Sequence, residues 1–285
     1  MDIISKISEE LGIRRNQTEA AVKLIDEGNT IPFIARYRKE ATGALNDEVL
    51  RNLYERLNYL RNLEEKKEQV LNSIEEQGKL TDTLKAQILA AETLVVVEDL
   101  YRPYRPKRRT RAAIAKEKGL EPLANVIMLQ TIKTPLEQEA QQYINEEKEV
   151  HTVEEALAGA KDIIAEYISD EADYRIRIRE MTMKHGRITS VAKDAEAESV
   201  YEMYYDFDEA LTKLAGHRVL ALNRGEAEKL LTVRIEAPEE DILSWMERKI
   251  ILRDNPVTSP VLKEVIADSY KRLIAPAIER EIRND

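Results

Sequence analysis

Between Tyr101 and Ala112 the sequence reads YRPYRPKRRTRA, with six basic side chains (Arg102, Arg105, Lys107, Arg108, Arg109 and Arg111) and no acidic one. Guanidinium groups are planar forks that grip phosphate oxygens through paired hydrogen bonds, and a lysine adds a compact point charge. Pro103 and Pro106 fix φ and remove two N–H donors, so the segment cannot be helix interior and is expected to run extended. Extended backbone splays the cations outward. Tyr101 and Tyr104 alternate with them, and aromatic faces beside a cationic track are what single-strand binders use to stack bases. Phosphate contact is therefore the chemistry on offer, with Arg102, Tyr104, Arg105, Lys107, Arg108, Arg109 and Arg111 as candidate contacts. Alternatively, the arginines pair with carboxylates of neighbouring helices. Formal matches to P-x-x-P and to a nuclear-import run are short and weak.

A second basic spot, ARYRKEATG at Ala35–Gly43, adds Arg36, Arg38 and Lys39 as candidate contacts. Cations at a helix end also complement its dipole, which is the plainer role. Tyr201, Tyr204 and Tyr205 are expected to be half-buried packing. Elsewhere the chemistry thins out. His151, His185 and His217 are scattered, and none has a metal-ligand partner three or four residues on. No nucleophile elbow, P-loop or dinucleotide fingerprint occurs. The expectation is a non-enzyme with no cofactor and no metal.

The elements that must position these residues are mostly helical. Nine glycines and nine prolines in 285 residues stand against long tracts of Glu, Lys, Leu, Arg and Ala. Three short amphipathic runs near Ile3–Leu11, Ala20–Ile25 and Pro32–Tyr37, joined by Gly-containing turns, suit a helix-turn-helix-like bundle and any other small helical bundle equally. Leu50, Leu53, Leu57 and Leu60 open one long helix from Asn46 to about Gln77, its leucines buried in the same chain and Gly78 its stop. Thr110 can cap the helix that leaves the basic segment, and Thr134–Glu137 and Thr152–Glu155 match the capping box. Gly186–Lys193 and Leu230–Ala237 alternate apolar and polar residues, and are expected to pair as a two-stranded antiparallel ribbon. The fold class is all-α with a small two-stranded β element near 186–237. Its regions are 1–130, helix-turn-helix-like with the long helix, and 131–285, helical with the ribbon; the softest boundary is near Thr131–Pro135.

The formal net charge is −10, which makes the basic segment an exception within its own chain. There is no cysteine, which excludes disulfides and thiolate chemistry. MDIISKISEELGI lacks the basic start and apolar centre of a signal peptide, and no apolar run reaches the length of a membrane span. A cytoplasmic protein with no membrane partner is expected.

TIPFIARYRKEATGAL (Thr30–Leu45), EDLYRPYRPKRRTRA (Glu98–Ala112), KGLEPLA (Lys118–Ala124), LAGHRVLALNRGE (Leu214–Glu226) and IAPAIEREIRN (Ile274–Asn284) resemble the N-terminal half of the Tex family of bacterial transcription accessory proteins. The resemblance runs in order over nearly the whole chain. It implies an all-helical, helix-turn-helix-like region of a protein that binds nucleic acid, prefers RNA and acts in transcription. In the family the chain continues into RNase-H-like and helix-hairpin-helix domains and a C-terminal OB-fold module, the principal RNA binder. This chain stops short of them and is expected to be a fragment, with its last turn frayed, or Ile278 and Ile282 of its last helix exposed or covered by a neighbour. The partners implied are RNA or single-stranded nucleic acid, with RNA polymerase or ribosome-associated proteins beside them. The rival reading is a helical protein-interaction scaffold docking transcription or translation machinery, with the arginines as internal glue.

Overall fold

The computed structural model describes residues 1–284. The chain forms two compact units, Met1–Tyr101 and Arg102–Asp285. They divide upstream of the Thr131–Pro135 stretch where the sequence pattern softens, because the helices after the basic segment carry Ala112, Ala115, Leu120, Leu123 and Ile127 into the second unit's core.

The first unit holds α1 (Ile3–Leu11), α2 (Arg15–Asp26), α3 (Ile31–Tyr37), α4 (Lys39–Thr42), α5 (Asp47–Glu76), α6 (Asp82–Ala90) and α7 (Leu94–Tyr101). Helix α5 is its spine. Leu50, Leu53, Leu57, Leu60, Leu63, Val70 and Ile74 recur at helical spacing and are buried against α1, α2, α3, α6 and α7. Asn46 caps α5 by accepting the Val49 N–H at 2.9 Å. The same device opens α3, α6 and later α8 and α11, at Thr30, Thr81, Thr110 and Thr152. Lys67 is buried on α5 because its ammonium donates to the Leu89 carbonyl at 2.8 Å and pairs with Glu64 at 3.3 Å.

The second unit runs α8 (Arg111–Glu117), α9 (Glu121–Leu129), α10 (Leu136–Gln141), α11 (Val153–Asp170), α12 (Ala172–His185), β1 (Arg187–Ala192), β2 (Asp206–Ala210), α13 (Gly216–Ala227), β3 (Leu231–Glu236), α14 (Glu239–Ile250), α15 (Ser259–Asp268) and α16 (Ala275–Arg283). Helix α11 is central, burying Ala156, Ala160, Ile163, Ile164, Ala165 and Ile168 against helices on several sides. Thr152 caps it, and Glu155 reaches back to the His151 N–H at 2.8 Å. Thr134 makes no such cap. Helix α10 starts at Leu136 with Pro135 in the capping position and no side-chain hydrogen bond.

β1 and β3 pair antiparallel as the alternation predicts, with Thr189 opposite Arg234. The sheet is nevertheless three-stranded, in the order β2-β1-β3, rather than a two-stranded ribbon. The added strand, DFDEA, is too acidic and too short to show a strand pattern; it is held by pairing to β1 and by Arg187 Nε donating to Asp208 at 2.6 Å. Ile188, Leu222, Leu231 and Val233 form a separate small core under this sheet with Tyr201 and Tyr204, which pack as expected but are fully rather than half-buried. Tyr205 packs against it partly buried.

Ser269–Ile274, between α15 and α16, is a π-helical turn. Pro276 follows within the first turn of α16; without an N–H, and with a ring that crowds the preceding turn, it makes the wider turn the local solution. The expectation of exposed residues at the last helix is corrected for Ile278, which is 2% exposed inside the core, while Ile282 is half-buried against it. Among the described residues no helix is long and apolar enough to cross a membrane.

Candidate nucleic-acid interface

The basic segment does not run fully extended. Arg102–Tyr104 forms a single 3-10 turn, and the chain then passes without regular structure to the Thr110 cap of α8. Tyr101 belongs to the first unit, where its hydroxyl lies 2.9 Å from the Ser73 hydroxyl and Lys66 sits over its ring. Tyr104 is half-buried. The interleaved aromatics are thus used in packing more than the sequence pattern implies.

The cations divide into two groups. Lys107 is anchored: its ammonium donates to Glu166 at 2.8 Å and also binds Asp170, both on α11. Arg102 pairs with Glu281 at 3.7 Å while its Nε is buried without a hydrogen-bond partner. Arg109 meets Glu117 at 3.1 Å in an exposed pair, which contributes little. Arg108 and Arg111 are exposed and form no ion pair among the described residues, and Arg105 is exposed beside them. The carboxylate-pairing alternative thus holds for Arg102, Lys107 and Arg109, while Arg108 and Arg111 stay exposed.

The segment forms one wall of a cleft of about 470 Å³. α11 supplies the carboxylates Asp162, Glu166 and Asp170. Arg175 of α12, Arg272 of the π turn and Arg280 of α16, none singled out by sequence patterning, complete the lining. In all, eight cationic side chains line the cleft with three carboxylates; Glu281 and Asp268 just outside the lining pair with Arg102 and Arg272, which leaves a net positive charge of about three in an acidic chain. Burial pushes Asp162 above the ordinary aspartate value in spite of nearby Arg272 and Arg111. Burial does the same to Asp170 against the pull of Lys107. Glu166 is also raised by burial, but hydrogen bonds from Lys107 and Thr110 outweigh that and hold it below the usual glutamate value. The carboxylates that anchor the segment are thus themselves dependent on its cations.

Arg175 is 2% exposed and donates to the Ser169 carbonyl at 2.6 Å and the Ser169 hydroxyl at 2.8 Å, which ties α12 to the end of α11 behind the cleft. Arg272 is held by Asp268 at 2.9 Å and Asp162 at 3.7 Å.

Arg36, Arg38 and Lys39 belong to the first unit, at the end of α3 and the start of α4. Arg38 donates to Glu40 at 3.0 Å, and Arg36 lies 5.4 Å from the Tyr37 ring centroid. Phe33 and Tyr37 are 41% and 59% exposed and pack ring to ring at 5.4 Å. This aromatic and cationic surface lies at a helix end, where the arginines also complement the helix dipole.

The family model for the Tex-like protein N-terminal domain matches residues 1–75, and that for the Tex central region matches residues 132–285. Protein tex of Bordetella pertussis is 46% identical over 82% of this chain and 30% of its own length. Transcriptional accessory protein Tex of Neisseria gonorrhoeae is 44% identical over 85% of this chain and 32% of its own. S1 RNA-binding domain-containing protein 1 of Homo sapiens is 28% identical over 99% of this chain and 30% of its own. The chain therefore spans about a third of the length of these relatives.

Proposed function

The chain belongs to the Tex family, and we propose that it is a non-enzymatic, nucleic-acid-binding part of a cytoplasmic transcription accessory protein, preferring RNA and single strands. The observation that carries this reading is the cleft beside Arg102–Arg111, where positive charge is concentrated in a chain of net charge −10. Relatives named for a transcriptional accessory role and for an S1 RNA-binding domain support it. Arg108 and Arg111 are the principal phosphate contacts, Arg102, Arg105, Lys107 and Arg109 secondary ones, and Tyr104 a neighbouring ring. Arg36, Arg38 and Lys39, with the rings of Phe33 and Tyr37, form a second contact surface. Helices α1 to α3, separated by turns of three and four residues, have the dimensions of a helix-turn-helix-like unit. In the full-length family architecture this part supplements an OB-fold module that binds RNA more strongly.

Fluorescence anisotropy with a short labelled RNA over a salt series tests this. Three engaged phosphates give a slope of log K against log[salt] of about −2, and six give about −4, from roughly 0.7 per single-strand contact. Arg108→Glu with Arg109→Glu should weaken binding to every sequence alike, with stability changed by less than about 0.5 kcal/mol, since both side chains are exposed. Absence of saturable binding at low salt would remove the proposal. The internal pairing of Lys107, Arg102 and Arg109 would then favour the second reading, a helical scaffold whose acidic faces dock polymerase or ribosome-associated proteins.

A further inference from the structure

Sequence patterning locates only one wall of the cleft. A second part of the lining comes from the π turn and α16, about 170 residues later in the chain, and brings Arg272 and Arg280 to the same cavity as Arg108 and Arg111. The two arginines of that part differ in kind. Arg272 is held by Asp268 and Asp162, which take up its Nε and one terminal nitrogen and offset its charge, so only its other terminal nitrogen is left to reach a phosphate. Arg280 is exposed and makes no ion pair among the described residues, so its full charge faces the cavity. Ala112, Leu273 and Ala277 add apolar surface to a lining that also holds Asp162, Glu166 and Asp170. A naked inorganic anion gains nothing from the apolar part, whereas the sugar and base of a nucleotide can cover it.

The positive region also has an end. Arg280 lines a second, adjoining cavity, but there Arg280 and Arg283 are balanced by Glu226 and Glu279, and Arg283 is bound to Glu226 through both of its terminal nitrogens. A polyanion is attracted up to Arg280 and not beyond it.

The geometry points to a two-part clamp for one stretch of single-stranded RNA backbone, held by Arg108 and Arg111 of the basic segment and by Arg272 and Arg280 of the π turn and α16, with Arg280 as its terminal phosphate contact. This rests on the nucleic-acid reading above and adds to it a site, a direction and residues that the basic segment alone does not contain.

The test compares Arg280→Glu with Arg234→Glu, an equal charge reversal at an exposed position of β3 outside the cleft lining. Binding of a short labelled single-stranded RNA is measured for each over a salt series. Arg280→Glu should weaken binding at least tenfold and make the salt slope shallower by about 0.7, one single-strand contact. Arg280→Gln should lower the slope similarly with a smaller loss of affinity, and serves if the reversal disturbs folding. Arg234→Glu should change affinity less than threefold. Inorganic phosphate at matched ionic strength should fail to displace the RNA, and displacement by it would overturn the nucleotide clamp in favour of a simple anion site. If Arg280→Glu and Arg280→Gln behave like Arg234→Glu while Arg108→Glu with Arg109→Glu still weakens binding, the clamp is wrong and the nucleic-acid reading stands. If none of these variants weakens binding, both fall.

Discussion

Lys107 shows what a basic residue in this segment does besides face solvent. Its side chain is 27% exposed and its ammonium bridges Glu166 and Asp170, whose side chains are 17% and 15% exposed and belong to the far end of α11. Lys107→Met leaves two partly buried carboxylates close together, with only the weaker pull of Arg102 on Asp170 and of Lys116 on Glu166 to offset them. We expect a loss of about 1–3 kcal/mol at neutral pH, below the roughly 3–5 kcal/mol of a fully buried pair because water reaches the ammonium. The pH dependence has a definite sign. Without Lys107, burial and mutual repulsion raise both carboxyls above their unfolded values, so the folded state is penalised increasingly as pH rises through those raised values. The deficit should be largest at neutral pH and shrink as pH falls toward about 4, which urea denaturation of wild type and variant across that range would read. An equal deficit at every pH would mean that lost packing, not charge, is responsible. The six cations were legible in the sequence, but their partners were not: Glu166 lies 59 residues from Lys107, and no local pattern pairs them.

At the scale of the element, legibility follows periodicity. The leucines of α5 recur on one face over eight turns, and both its cap and its burial are as the spacing predicts. Leu57, 1% exposed, should cost about 2–5 kcal/mol when truncated to alanine, measured as a shift of the denaturation midpoint. β1 and β3 were legible for the same reason, with a period of two. β2 was not, since its acidic residues carry no apolar alternation and its place is set by β1 alone. The π turn before Pro276 likewise answers to a backbone clash rather than to a hydrophobic period. Gly186, at the junction of α12 and β1, depends on close approach: an added Cβ would lie 2.3 Å from the Thr182 carbonyl oxygen, a backbone atom that cannot rotate away. Gly186→Ala should therefore lower the melting temperature although alanine is ordinarily the better helix former, and an unchanged or raised melting temperature would show that the junction relaxes freely.

At the scale of the whole molecule, the division at Tyr101/Arg102 allots the two candidate surfaces to different units. Arg36, Arg38 and Lys39 fall in the first. Every residue lining the basic cleft falls in the second, which also contains its own large core around α11 and the small core under the sheet. A sequence reading orders such surfaces along the chain but cannot close a cleft lined by both Arg108 and Arg280, because only the packing of α16 onto the core around α11 brings them together. Residues 102–285 expressed alone should accordingly fold cooperatively and bind single-stranded RNA with an affinity within about threefold of the whole chain and the same salt slope. The measurement is anisotropy on both proteins at equal ionic strength, with circular dichroism and a thermal melt to establish that the shorter protein is folded. Retained affinity with an unchanged slope places the phosphate contacts in the second unit. A folded 102–285 whose slope is shallower by about 1.4–2.1, or two to three contacts, would instead give the α3 surface of the first unit a direct share in binding, and Arg36→Glu in the whole chain should then reproduce part of the loss.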